Sequence, residues 1–389
     1  MKEKLNLYLK TLVANKGSDL HIKSGVVARV RVNGVLKKLG KEVLPADAVK
    51  LLVKEITTPE QYMQLKEEKS LDFAYVLDAE SRFRVNVFYQ MDGLSAVFRL
   101  IPAKISSIDE LRLPQVIKDF ADIPRGLVLV TGVTGSGKST TLAAILDRIN
   151  ETYYKHIITL EDPIEFVHHD KKCLINQRAI GQDSNTFGDA LPAALREDPD
   201  IILVGEMRDT ETVDLALHAA NTGHLVFSTL HTLDAKETIN RVVGMFPEEE
   251  QNRIRLSLAS VIGGIISQRL VPTIEGGRIA ATEVMVKTAR ITELIAENRD
   301  FEIPDAIAEG KEIYRSHTFD QHLYELVVDG IITQEVAMEN ASSPSDLKLQ
   351  LEGIGKATSK SVQKSLEKEI QATPHLDVYA FKEEEDSLH

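Results

Sequence analysis

Between residues 132 and 139 the chain reads Gly-Val-Thr-Gly-Ser-Gly-Lys-Ser, and no other stretch restricts its possible folds so tightly. The spacing is G-x-x-x-x-G-K-[ST]. A short apolar run, Gly126–Val130, precedes it, and a helical segment, Leu142-Ala143-Ala144-Ile145-Leu146, follows. Strand, glycine turn and helix in that order make a cradle for a phosphate chain. The glycines let successive backbone N–H groups turn inward around an anion, and the helix start adds a favourable dipole. On this reading Gly132, Thr134, Gly135, Ser136, Gly137, Lys138, Ser139 and Thr140 bind ATP. Lys138 neutralises the β- and γ-phosphates, and the Ser139 hydroxyl holds Mg²⁺.

The surrounding grammar is that of an α/β protein. Apolar runs at Gly126–Val130, His156–Leu160, Ile201–Val204 and Leu225–Thr229 alternate with helical segments. That alternation describes a parallel sheet whose central strands are buried on both faces. Helical segments at Glu248–Ile266, at Ile291–Ala308 and from Asp320 to about Ala341 complete the domain, which spans 124–342. Ahead of it, residues 1–102 read as a small α/β domain. Val26–Val32 is a strand, Asn33-Gly34 a hairpin signal before Val35–Leu39, and Pro45–Lys69 helical. Strands over Arg82–Gln90 and Leu94–Ile101 then suggest an antiparallel sheet with helices on one face. Residues 103–123 form a linker with one helix around Ile108–Ala121. Residues 343–389 form a polar tail, either a solvated helix or a disordered segment.

In an open parallel sheet, ligands bind beyond the carboxyl ends of the strands. The run Asp200–Val204 delivers Glu206 to that end, as a second Mg²⁺ ligand that orients metal-bound water. Asp198 and Asp200 lie at the opposite end and are rejected as ligands. The run His156–Leu160 leads into Glu161, Asp162 and Glu165, three carboxylates in five residues. Like charges packed so densely need a cation or a function to offset them. One of the three is suited to orient the attacking water, and the pattern leaves open which. His231 ends the run from Leu225 and can sense the γ-phosphate; His224 starts it and lies farther away. Arg82 and Arg84, two apart and so on one strand face, and Arg99 on a neighbouring strand can supply cations when domains or subunits close. A salt bridge or plain solvent exposure is the competing explanation for each arginine.

Composition narrows the function classes. The net charge is −13, from 59 acids against 46 bases, and there is no tryptophan. A basic footprint and stacking aromatics for nucleic acid are both missing, so no nucleic-acid partner is expected. The one cysteine, Cys173, excludes an internal disulfide and a cysteine zinc cluster. No run reaches about 18 apolar residues, and the start lacks the apolar core of a secretory signal. The expected compartment is the cytoplasm.

With these residues in view, the chain resembles, over about residues 1–342, the PilT/PilU family of type IV pilus retraction ATPases, within the wider type II/IV secretion ATPases. Four stretches carry the likeness: Gly132–Thr140 as Walker A, Thr159–Glu165 as the Asp box, Ile201–Asp209 as Walker B, and Thr222–Thr232 as the His box. The resemblance implies a PAS-like N-terminal α/β domain followed by a RecA-like P-loop ATPase domain with a parallel sheet and C-terminal helices. It implies that Glu165 is the water-activating acid, that His224 acts as well as His231, and that Arg82, Arg84 and Arg99 serve the site. It further implies a homo-hexamer at the cytoplasmic face of the inner membrane, touching the membrane only through partners. Those partners are a PilC-like platform protein and a second retraction ATPase. The work implied is pilus retraction in twitching motility. Two departures leave the choice of main or accessory motor open. The family's AIRNLI motif is only partly kept at Ala289–Ile295, and the tail beyond Ser342 is long, as in PilU-like members.

Three other functions compete. Assembly and export ATPases carry a larger N-terminal region and a four-cysteine zinc insertion, against which the lone cysteine speaks. A nucleic-acid translocase is opposed by the acidic balance. A regulatory partner that binds ATP without cleaving it is opposed by the dense set of acids and histidines.

Overall fold

Alternating burial along the first hundred residues builds an antiparallel sheet with one wet face. In the computed structural model, which describes residues 1–353 except 33, 79–80 and 102–103, the strands are β1 (Asp19–Lys23), β2 (Val26–Val32), β3 (Val35–Leu44), β4 (Ser70–Val76), β5 (Arg82–Gln90) and β6 (Gly93–Ile101). They run in the order β3-β2-β1-β6-β5-β4. Leu71, Phe73 and Tyr75 alternate inward with Asp72, Ala74 and Val76 outward. The inward side chains meet helices Lys2–Ala14, Ala46–Ile56 and Pro59–Glu68 in one apolar cluster. Asn33 of the hairpin signal and Pro102 of the expected boundary lie outside the described residues.

The second sheet obeys a different rule. Its strands are β7 (Gly126–Thr131), β8 (His156–Glu161), β9 (Leu174–Ala179), β10 (Ile201–Val204), β11 (Leu225–Leu230), β12 (Ile262–Pro272) and β13 (Arg278–Val286), in the order β13-β12-β7-β11-β10-β8-β9. The four pairings from β12 to β8, and that of β8 with β9, are parallel. Every residue of β7, β10 and β11 is buried, as helices on both faces require. Two apolar clusters, one on each side, enclose these strands. Burying one such Val, Leu or Ile contributes about 1.5–3 kcal/mol, so the strand positions are tightly held. The expected α/β class, with a parallel sheet behind an N-terminal domain, is what the chain adopts.

Close Cα approaches gather the chain into two units. The larger, Met1–Leu270 with Arg278–Thr318, holds both sheets. The smaller takes Val271–Gly277 and the chain from Phe319 on. In it, helices Phe319–Val328 and Gln334–Asn340 are followed by Ser342 and Ser343, whose N–H groups donate to the Asp320 carboxylate. Residues 344–353 are helical; the rest of the polar tail lies outside the described residues.

Some elements differ from expectation. The helix from Glu248 stops at Val261, and Ile262 begins β12. Gly263 and Gly264 break it there: a Cβ on Gly264 would lie 2.2 Å from Phe120. Around Ile108–Ala121 only Val116–Asp119 is helical, because Pro114 and Arg112, at φ 53°, interrupt the chain. Ile291–Ala308 divides into helices Ala289–Ala296 and Ile303–Glu309 around Asn298, at φ 60°. Strands β1, β4, β9 and β13 and the helix Lys2–Ala14 carry weaker patterns and were not expected.

Candidate active site

The turn from β7 into the helix Lys138–Thr152 is shaped by its glycines. Gly132 sits at φ 138°, where a Cβ would meet the Gln268 carbonyl oxygen and Ser136 Oγ, each at 2.5 Å. Gly137, at φ 94°, precedes a helix with no side-chain cap and no acid in its first turn. Uncapped N–H groups at a helix start are an anion site. Ser136 Oγ is buried with no hydrogen-bond partner among the described residues. Lys138 is buried as well, its Nζ donating to the carbonyls of Gly132 (2.8 Å) and Val133 (3.2 Å). Burial holds this ammonium below its ordinary pKa, against the pull of Glu165 and Glu206. A buried cation satisfied only by loop carbonyls, beside an orphaned hydroxyl and uncapped amides, fits a polyphosphate.

The cradle opens into a cleft of about 620 Å³. Its walls include Thr134, Gly135, Gly137 to Thr140, the acidic loop, Glu206 and His231. Glu206 follows β10, where Gly205 N–H donates to the Leu160 carbonyl (2.7 Å) and Thr229 Oγ1 to the Gly205 carbonyl (2.7 Å). These bonds fix the turn that presents the carboxylate. Glu206 is ion-paired with Arg208, and His231 Nε2 stands 3.4 Å from its other oxygen. The described residues hold no cluster of three or more His, Cys, Asp or Glu fit for a metal. One hydroxyl and one carboxylate nevertheless suit Mg²⁺, which keeps several waters and takes the rest from phosphate.

The acidic loop separates its three carboxylates by environment. Glu161 accepts from Thr159 Oγ1 (2.7 Å) and Gln177 Nε2 (3.3 Å), and burial pushes its pKa up. Glu165 is exposed, and its carboxylate has no hydrogen-bond partner among the described residues. Asp162 is exposed at the cleft wall.

The arginines also divide. Arg84 lines the cleft. Arg99 lies opposite it in register on β6, but its Nε donates to Asp19 Oδ1 at 2.9 Å. Burial acts to raise the Asp19 pKa, yet bonds from Ser18 and Arg99 bring it below the usual carboxylate range. Arg82 shares the exposed face of β5 without lining the cleft. His224 is likewise elsewhere: its Nδ1 donates to the Ala219 carbonyl (2.9 Å) at the amino end of β11. Six strand residues separate it from His231, about 20 Å along an extended strand.

Wall residues that were not expected include Arg208, Arg278, Phe166 and His168. Arg208 stands two residues past Glu206 and was legible as a neighbour in sequence. His168 is buried, its Nδ1 without a partner among the described residues, and burial lowers its pKa from 6.5 to about 4. Arg278 comes from β13, whose position no local pattern announces.

Residues 1–275 match the family model described as type II/IV secretion system protein. The chain is similar to the type IV pilus retraction ATPase PilT of Pseudomonas aeruginosa, 49% identical over 329 residues, 85% of this chain and 95% of that protein. It is 37% identical to the type IV pilus ATPase PilU of the same organism, over 88% of this chain and 90% of PilU. A crystal structure of the pilus retraction motor PilT with bound ADP resembles it with a TM-score of 0.82 at 43% identity, covering 88% of this chain and 98% of that one.

Proposed function

The chain belongs to the type II/IV secretion system protein family, and from that premise we propose that it is an ATP-hydrolysing motor that retracts a type IV pilus. The observation that carries this reading is the single cleft that gathers Lys138, Ser139, Glu165, Glu206, His231 and Arg84. In it the loop N–H groups and Lys138 hold the triphosphate. Ser139 and Glu206 would hold Mg²⁺, which would supply charge neutralisation on the phosphates when bound. Glu165 orients the attacking water and takes its proton, since Glu161 is occupied by Thr159 and Gln177. His231, beside Glu206, reads the γ-phosphate end. Arg84 brings the antiparallel sheet to the same cleft, so movement of that sheet and turnover are linked.

The working parts are a first domain over 1–102, a linker over 103–123 and an ATPase domain over 124–342. Six copies form a ring. His224, Arg82 and Arg99 lie outside this cleft; the Ala219 carbonyl holds His224 and Asp19 holds Arg99, so their part in hydrolysis is secondary to that of His231 and Arg84. Among the described residues no helix is long and apolar enough to cross a membrane. On this reading, which rests on the likeness to the retraction ATPase PilT, the ring works from the cytoplasmic face of the inner membrane against a PilC-like platform protein, alongside a second retraction ATPase. Identity of 49% to PilT against 37% to PilU supports the main motor over the accessory one. Deleting the gene in its host tests the reading: surface pili should accumulate and surface movement stop. Absence of pili would transfer the protein to assembly.

A further inference from the structure

Gln268 lies on β12 directly after Ser267, whose hydroxyl accepts from Thr131 at 2.9 Å across the sheet. Its side chain is 1% exposed, and neither Oε1 nor Nε2 has a hydrogen-bond partner among the described residues. A fully buried amide with both ends unsatisfied is rare in folded proteins and calls for a reason.

Its surroundings supply one. The Gln268 backbone oxygen comes within 2.5 Å of where a Cβ on Gly132 would stand, and Nε2 within 3.9 Å of where one on Gly137 would stand. The residue thus spans the phosphate loop from its first glycine to its last. Ser136 Oγ, unpartnered too, is 2.5 Å from the same Gly132 position. Lys138 Nζ meanwhile serves as donor to Gly132 and Val133. If Lys138 turns toward phosphate, those carbonyls lose their donor inside the protein, and a buried carbonyl without one is unfavourable.

We propose that Gln268 is a positioning residue of the phosphate loop: its amide bonds the loop groups that Lys138 releases, together with Ser136, and so holds the loop in its nucleotide-gripping form. Gln268 is not among the cleft-lining residues, so it acts through the loop and not by touching nucleotide. The inference rests on the reading of residues 132–139 as a phosphate cradle.

Calorimetric titration of the assembled full-length protein with Mg-ADP, paired with melting temperatures without ligand, tests it. Gln268→Met keeps the volume and removes both polar ends. It should weaken ADP binding about tenfold, the worth of one or two hydrogen bonds. The ligand-free melting temperature should stay level or rise, because an unpaired amide is gone. ADP affinity within twofold of wild type overturns the proposal, whatever the melting temperature does. Lys138→Ala separates the two layers. If it binds ADP like wild type, the cradle reading itself fails and takes the proposal with it; if it loses binding while Gln268→Met keeps it, only the Gln268 role fails. Should the methionine variant not fold, Gln268→Asn, whose amide is too short to span the loop, carries the same comparison.

Discussion

The parallel sheet has two rims, built from similar residue types and finished differently. At the amino rim the polar groups are paired off. Asp200 Oδ2 accepts from the His156 N–H (2.8 Å), and His156 Nδ1 donates to the Asp198 carbonyl (3.0 Å) while Nε2 accepts from Asn176 (2.8 Å). His224 is bonded to Ala219 (2.9 Å). At the carboxyl rim Glu161 and Glu206 are bonded, but other groups are left open. Glu165 has a bare carboxylate, His231 is half exposed, and Lys138 borrows loop carbonyls. A satisfied histidine or aspartate contributes stability. An unsatisfied one, held in place by buried strands, has bonding capacity left for a ligand. Residue type alone does not distinguish the two rims.

This contrast can be broken by substitution. The largest effect belongs to Lys138→Ala, which should remove ATP binding in an equilibrium titration; retained tight binding would leave the carboxyl rim without its anion site. Next is Glu165→Gln. ATP should still bind, with turnover down about 10²–10⁴-fold, as expected on loss of a general base. Near-normal hydrolysis would move the water-activating role to Glu161. Arg84→Ala should lower turnover about 10²-fold, the cost of one donor aimed at developing charge. Arg99→Ala should chiefly release Asp19 and cost about 1–3 kcal/mol of stability in denaturant unfolding, since the exposed arginine bonds a buried carboxylate that loses a charged partner. Equal kinetic losses in both would erase the distinction drawn between them. Asp200→Ala, at the amino rim, should lower stability by about 1–2 kcal/mol and leave turnover per folded ring unchanged.

A further effect is a pH dependence. The folded chain protonates His168 only near pH 4, the unfolded chain near 6.5. Between those values the unfolded state binds more protons, so stability should fall as pH drops through the window. A His168→Gln variant should show a shallower fall in its urea midpoint from pH 6.5 downward; parallel curves would mean that His168 is open to water in solution.

Much of the site was legible in order along the chain. The glycine spacing at 132–137 and the buried runs ahead of Glu206 and His231 are local signals, because a strand buried on both faces must be written as a continuous apolar run. The same logic placed Asp200 at the wrong end for a ligand. What went unread had no local signature. The run Val261–Ile266 suits a helix or a strand equally, and only the approach of Phe120 to Gly264 and pairing with β7 decide for the strand. From that one decision come β12, β13, Arg278 in the cleft wall, and Gln268 beneath the phosphate loop.

The sequence by itself determined the class of fold, the anion cradle, and which acids and which histidine reach its rim, because periodicity and glycine geometry act over a few neighbouring residues. Only the tertiary structure decided which of those groups remain free to react. It paired Arg99 with Asp19, set Glu161 among Thr159 and Gln177, and left Glu165 open and Arg84, 3.7 Å from Asp72 at its Nε, lining the cleft. Availability depends on partners that lie far apart along the chain, and those partners meet only when the sheets are assembled.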